Sequence, residues 1–175
     1  MAAPSIVVRT LEPWDAVRYR ALRLEALRDA PQAFSSDYEQ NLLLSVDEFA
    51  RRIAANGDRF VLGAFDGDEL VGVAGFARSD GIKLRHKAGV WGMYVTPRAR
   101  RRGIARHLLE SLLERACAID GIEIVQLSVT AGNGPAERLY ESLGFRAYGL
   151  ERRAMKVDGR YLDEVHMALQ IGAPD

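Results

Sequence analysis

The chain reads as an α/β (α+β) fold, a mixed, mostly antiparallel sheet of about seven strands with helices on both faces. Three observations carry that reading. Short β-branched and aromatic runs recur along the whole chain between stretches of helical periodicity. Two pairs of such runs are joined by turn sequences, Asp66-Gly67-Asp68-Glu69 and Lys156-Val157-Asp158-Gly159-Arg160, which makes each pair an antiparallel hairpin. One apolar run, 88–95, passes through a small-residue turn directly into a long amphipathic helix.

Each element follows in order. Residues 6–9 form the first strand, and Trp14, Val17, Ala21, Leu24 and Leu27 recur at helical spacing to predict a first helix over 13–28, stopped by Pro31. Ser45 and Glu48 stand at capping-box spacing, so a second helix opens there and runs to about 55, where Asn56-Gly57 ends it. The runs 60–65 and 70–77 form the first hairpin. A polar, basic segment over 80–87 leads to the fourth strand, 90–95. Ile104, Leu108, Leu112 and Ala116, flanked by Leu109 and Leu113, put a broad apolar stripe on a third helix closed by Asp120-Gly121. Residues 122–129 are the fifth strand. Pro135 suits the first turn of a short fourth helix that ends near Gly144, and 145–154 with 161–169 make the closing hairpin. No composition break or repeat divides the sequence, so a single domain over 1–175 is expected.

Composition excludes several classes. The 24 basic and 24 acidic residues cancel, whereas a dedicated nucleic-acid binder is normally basic. No apolar run reaches the roughly 20 residues that span a bilayer and no signal-like segment opens the chain, so the expectation is a cytoplasmic protein without a membrane partner. The lone cysteine, Cys117, forms no internal disulfide and reads as a small buried hydrophobe on the third helix. His86, His107 and His166 lie far apart with no carboxylate or thiol at metal-ligand spacing, so no metal is expected. A nucleophile elbow of the Gly-x-Ser-x-Gly type is missing as well.

Function concentrates at the junction of the fourth strand and the third helix. A strand that turns through small residues into a helix aims free backbone N–H groups and the positive end of the helix dipole at one spot, which suits phosphate. The turn lacks the Gly-Lys-Ser/Thr of a nucleotide P-loop and the glycines of a dinucleotide fingerprint. Arg98, Arg100, Arg101, Arg102 and Arg106 cluster there with no acid among them, a pattern that also fits a solvated basic face or a weak polyanion site. Gly103 and Ala105 favour close approach of the backbone to a ligand.

Arg100, Gly103 and Ala105, followed by Asn133 and by Leu139-Tyr140-Glu141-Ser142-Leu143-Gly144-Phe145, resemble the GCN5-related N-acetyltransferase (GNAT) family, and the resemblance covers nearly the whole chain. The three loop residues occupy the defining places of the family's Gln/Arg-x-x-Gly-x-Gly/Ala signature. The C-terminal half also resembles the ribosomal-protein N-terminal acetyltransferase branch. This resemblance implies acetyl-coenzyme A as cosubstrate, its pyrophosphate held by the backbone of Arg100, Arg101, Arg102, Gly103, Ile104 and Ala105, with the arginines adding charge neutralisation. It also implies a bulge that splays the fourth and fifth strands, with the pantetheine arm pairing near Met93, Tyr94 and Val95. Asn133 matches a residue that orients the cofactor, although Asn133-Gly134-Pro135 alone reads as a turn. Tyr140 matches the tyrosine that protonates the departing thiolate, although a core aromatic with its hydroxyl at the rim has the same pattern.

The implied reaction is direct attack of a neutral amine on the thioester, with a backbone N–H near Tyr94 or Val95 facing the carbonyl oxygen and no acyl-enzyme. The base is the open point. The position that holds a glutamate in the ribosomal-protein branch is Ser128 here, which leaves Glu39, His86 or a relaying water as candidates. The implied acceptor is a primary amine of a small molecule or a protein, gripped by the 31–45 loop and the 156–160 hairpin, and a homodimer is compatible with the family. The alternatives are a non-catalytic acetyl-CoA-binding sensor or interaction module, and a nucleic-acid module on the arginine cluster, which no interleaved aromatics support.

Overall fold

The computed structural model describes residues 6–172. Its sheet has seven strands in the order β1-β2-β3-β4-β5-β7-β6. These are β1 (Val7–Thr10), β2 (Arg59–Asp66), β3 (Glu69–Arg78), β4 (Lys87–Val95), β5 (Ile124–Thr130), β6 (Arg146–Val157) and β7 (Arg160–Gln170). Every neighbouring pair is antiparallel except β4–β5. The two hairpins read from the sequence are both present. Gly67 in the first turn (φ 60°), and Asp158 and Gly159 in the second (φ 47° and 77°), take the left-handed conformations that tight turns require.

Five helices complete the fold: α1 (Ala16–Asp29), α2 (Tyr38–Leu42), α3 (Val46–Ile53), α4 (Ile104–Cys117) and α5 (Gly134–Ser142). On one face of the sheet, Ile104, Leu108, Leu109, Leu112 and Ala116 of α4 share a core with Tyr140 of α5, Phe145 and the strand residues Phe60, Phe76, Val125 and Leu127. On the other, Tyr19, Leu22 and Ala26 of α1 pack with Phe49 and Ile53 of α3 against Val61, Phe65 and Tyr94. The capping box of α3 forms as expected, with Glu48 N–H donating to Ser45 Oγ and Ser45 N–H donating to Glu48 Oε2.

Three expectations need correction. In α1 the apolar stripe is shifted: Trp14 and Val17 are 73% and 64% exposed, and the buried face is Ala16, Tyr19, Leu22, Arg23, Ala26 and Leu27. The expected stripe followed Trp14 and four aliphatic residues and passed over Tyr19 and Arg23, whose long side chains cover the core. Between α1 and α3 the sequence suggests only a loop, yet Asp37 accepts a hydrogen bond from Gln40 N–H and caps the short helix α2. Cys117 is exposed, because the buried stripe of α4 passes through Leu112 and Ala116 and the next residue has rotated out of it. Among the described residues, no helix is long and apolar enough to cross a membrane.

Candidate active site

The site begins with a defect in strand pairing. Along β3–β4 the register runs Val73↔Tyr94 and then Gly75↔Trp91, so β4 spends one residue more than β3 and bulges at Gly92 and Met93. Gly92 has φ 63°, which a side chain would strain. On the other side of β4, pairing with β5 runs only from Lys87↔Ile124 to Gly89↔Gln126, and the two strands diverge as the bulge is approached. The diverging segments 90–95 and 127–130 therefore face each other across a gap with backbone groups that need partners. Thr96 N–H donates to Val71, and the alternation of an antiparallel ladder then turns the Val95 amide away from β3 and into the gap.

A row of amides opens at the end of that gap. After a single turn over Pro97–Ala99, Arg101 and Gly103 take left-handed conformations (φ 63° and 74°) on either side of Arg102. His107 is the first amide of α4 with a helical partner, donating to Gly103, so helix geometry leaves the amides of 103–106 over. Those of Arg101 and Arg102 have no acceptor among the described residues either. Six successive N–H groups at a helix N-terminus make an anion-binding nest. A Cβ on Gly103 would meet nothing within 4 Å, so the space in front of the nest is open.

Gap and nest belong to one cleft of about 820 Å³, a volume suited to a large cofactor. Of the residues proposed from sequence, Met93, Tyr94, Val95, Arg100, Arg101, Gly103, Ile104, Ala105, Asn133 and Tyr140 all line it. Arg102 does not: its guanidinium turns away to Asp66 (2.5 Å). Glu39 is exposed on α2 and His86 sits at the paired end of β4, and neither lines the cleft. Residues 31–45 contribute Gln32, Ala33 and Phe34, whereas the 156–160 hairpin contributes nothing.

The arginine cluster is not free charge. Arg98 pairs with Glu25 and Glu69, Arg100 with Asp29 (2.5 Å), and Arg106 bonds Ser142 Oγ (2.7 Å) and approaches Glu110. Only Arg101 lacks an acidic partner among the described residues. The expected neutralisation of phosphate by several arginines thus reduces to Arg101 and backbone amides, and the basic face that a polyanion would need is largely cancelled.

Asn133 caps α5, its Oδ1 accepting from Ala136 N–H (3.4 Å), so the turn role and the cleft position coincide. Tyr140 is 7% exposed and packs edge-on to Phe145, yet its hydroxyl makes no hydrogen bond among the described residues. Burial pushes its pKa up to about 12. Tyr94 is also buried, but its hydroxyl is tied to Asp29 (3.1 Å) and Glu25 (3.2 Å); desolvation and those carboxylates push its pKa up. Tyr94 is therefore a fixed wall, and Tyr140 holds the available hydroxyl.

Sequence reasoning missed one constellation. Ser128, which lines the cleft on β5, has its Oγ 2.8 Å from Nδ1 of His166 on β7, and His166 Nε2 lies 3.2 Å from Glu151 Oε2 on β6. The signal was a histidine at alternating spacing in a strand, which reveals nothing until strand order places β7 beside β5.

A model of the acetyltransferase (GNAT) family matches residues 20–145. The chain belongs to that family. This GNAT protein is 38% identical over 111 residues to the N-alpha-acetyltransferase RimI of Mycobacterium tuberculosis, covering 63% of this chain and 66% of that protein. It is 31% identical over 142 residues to the mycothiol acetyltransferase of Brachybacterium faecium, covering 81% of this chain but 39% of that longer protein. The matches thus span just under two thirds of the first relative and well under half of the second. In fold it is similar to a GNAT acetyltransferase of Streptococcus pneumoniae, with TM-score 0.83, 24% identity and coverage of 95% and 99% of the two chains. It is likewise similar to yncA of Salmonella typhimurium, solved with its cofactor acetyl-CoA, with TM-score 0.78, 23% identity and coverage of 98% of each chain.

Proposed function

We propose that this GNAT protein is an acetyl-CoA-dependent N-acetyltransferase that passes the acetyl group directly to a primary amine of a small molecule or protein. The observation that carries the reading is the continuity of the six free amides at 101–106 with the unpaired edges of β4 and β5 in one cleft. One end of that surface suits a pyrophosphate, and the other offers strand-edge amides and carbonyls to an extended amide-bearing arm. Its relatives include an N-alpha-acetyltransferase and an L-amino acid N-acetyltransferase, names in keeping with an amine acceptor.

Bound there, acetyl-CoA supplies an acetyl thioester. Arg101, Arg102, Gly103, Ile104, Ala105 and Arg106 hold the phosphates through their backbone, and Asn133 orients the cofactor with the amide nitrogen that its cap leaves free. The Val95 amide, turned into the gap, donates to the carbonyl oxygen. Tyr140 donates a hydrogen bond to the sulfur. A phenol held near 12 gives up its proton reluctantly to a thiolate whose conjugate acid titrates near about 8.5, so Tyr140 acts by hydrogen bonding more than by complete transfer. Cys117, exposed at the far end of α4, takes no part.

The test is release of free thiol from acetyl-CoA across a panel of amines that includes amino acids, alanine-initiated peptides and lysine-type amines. Amine-dependent release with formation of the acetylated amine is expected. Thermal stabilisation by acetyl-CoA with no release for any amine would leave a binding module instead.

A further inference from the structure

Direct attack requires a neutral amine, and Asp29, a carboxylate that lines the cleft, is already held by Arg100 and the Tyr94 hydroxyl. We propose that Ser128, His166 and Glu151 form a proton relay that takes the amine's proton. The relay rests on the acetyl-transfer reading above, since it supplies that reaction's base.

Position comes first. On β5, Val125, Leu127 and Val129 point into the core beneath α4, so Gln126, Ser128 and Thr130 point to the opposite face. That is the face covered by residues 31–34, where Thr130 Oγ1 donates to Gln32 O (2.6 Å). Ser128 lies just beyond Gln126, the last residue of β5 paired with β4, where the gap has opened. Its hydroxyl is therefore on the cleft wall at the level of the bulge. His166 is its direct cross-strand neighbour on β7.

Orientation comes second. With Glu151 accepting from Nε2–H, the tautomer of His166 is set so that Nδ1 carries the lone pair and accepts from Ser128 Oγ–H. The Ser128 oxygen is then left with lone pairs toward the cleft. An acceptor ammonium gives one N–H proton to Ser128 Oγ as the Ser128 hydroxyl proton passes to His166 Nδ1. The amine keeps the electron pair, Ser128 is unchanged, and the imidazolium is held by the Glu151 carboxylate. His166, whose side chain is 28% exposed, returns the proton to water.

The surroundings favour this assignment. From β6, Glu151 and Tyr148 face the imidazole, the latter stacked at 6.0 Å, with its hydroxyl accepting from Gln126. Along β7, Glu164 shares the face, opposite Glu151 and Thr130. β5 offers no titratable side chain there, and Arg146 directs its guanidinium to the carbonyls of Glu141 and Phe145. Glu151 and Glu164 thus share the face of the imidazole. A mere strand tie would not need them, because β5 and β7 are already in register from Ile124↔Gln170 to Thr130↔Glu164.

Three measurements on the full chain test the relay. In histidine-labelled protein, nitrogen NMR should show His166 protonated at Nε2 and bare at Nδ1; an Nδ1–H tautomer overturns the relay. In the thiol-release assay with the fastest amine of the panel, Ser128→Ala and His166→Gln should each lower kcat/KM by about 10²–10⁴-fold. The double variant should be no worse than either single one, since the two act as a unit. The acid limb of the pH–rate profile should then follow deprotonation of the acceptor amine itself, and stabilisation by acetyl-CoA should be unchanged. Wild-type rates and an unaltered profile in the variants overturn the relay alone, whereas no turnover in the wild type with any amine overturns the acetyl-transfer reading and the relay with it. Intact mass after incubation with acetyl-CoA should show no adduct; acetyl on Ser128 would replace the relay by a covalent route.

Discussion

Replacing Tyr140 by phenylalanine separates its chemistry from its packing. The ring stays against Phe145 and no cavity opens, and the lost hydroxyl has no partner among the described residues, so stability should change by less than about 0.5 kcal/mol. In the role proposed for Tyr140, what is lost is one hydrogen bond to a sulfur that gains negative charge. Such charge-assisted bonds contribute about 1.5–3 kcal/mol, and at about 1.36 kcal/mol per decade this corresponds to a fall in kcat of about tenfold to 150-fold. The ceiling follows from the raised pKa of the phenol, about 12, which disfavours the full transfer that larger general-acid effects require. The assay is thiol release at saturating acetyl-CoA with the best amine, under conditions where chemistry limits the rate. Unchanged kcat would remove Tyr140 from the mechanism. A loss of kcat matched by a large drop in melting temperature would assign it to the core.

Gly103→Glu should abolish stabilisation by acetyl-CoA, since it puts bulk and negative charge before the amide nest; the left-handed φ of 74° adds a folding cost of about 1–2 kcal/mol, which Gly103→Ala isolates. Cys117→Ala should leave turnover and melting temperature near wild type, because the thiol is exposed and outside the cleft. Asp15 is fully buried, and its bidentate bond to Arg9 (2.7 Å each) holds its carboxyl below the usual range. Its folded pKa lies under the unfolded one, so its contribution is complete above about pH 4 and disappears as pH falls through the folded value. Asp15→Asn should therefore cost about 1.5–3 kcal/mol at pH 7 in denaturant titrations, and the gap from wild type should close on acidification.

What could be read in advance was local. The α3 capping box, both hairpin turns and the loop that ends at Gly103 are each written in a few contiguous residues, whose backbone demands are met or missed on the spot. Relations set by the folded sheet could not be read that way. Arg100 finds Asp29 at a separation of 71 residues and Arg102 finds Asp66 at 36, so an arginine run with no local acid became a set of ion pairs. Ser128 meets His166 across 38 residues, and His166 meets Glu151 across 15 with a bulged strand between them. At the first helix the expected stripe ran through Trp14 and Val17, while the core took Tyr19 and the stem of Arg23. Glu39 fell out of consideration because α2, itself invisible in the periodicity, presents it to solvent.

In the proposed reaction the cleft between β4 and β5, closed by the amides of 101–106, takes acetyl-CoA. Thermal unfolding with and without acetyl-CoA tests it most directly. At a concentration about 100 times Kd, a ligand that binds only the folded chain adds about 2.7 kcal/mol, which for a chain of this length raises the melting temperature by about 5–10 °C. Adenosine, which lacks the pyrophosphate and the pantetheine arm, should give much less. No shift at millimolar acetyl-CoA would contradict the account and return the loop from Arg100 to Ala105 to the status of an ion-paired surface turn.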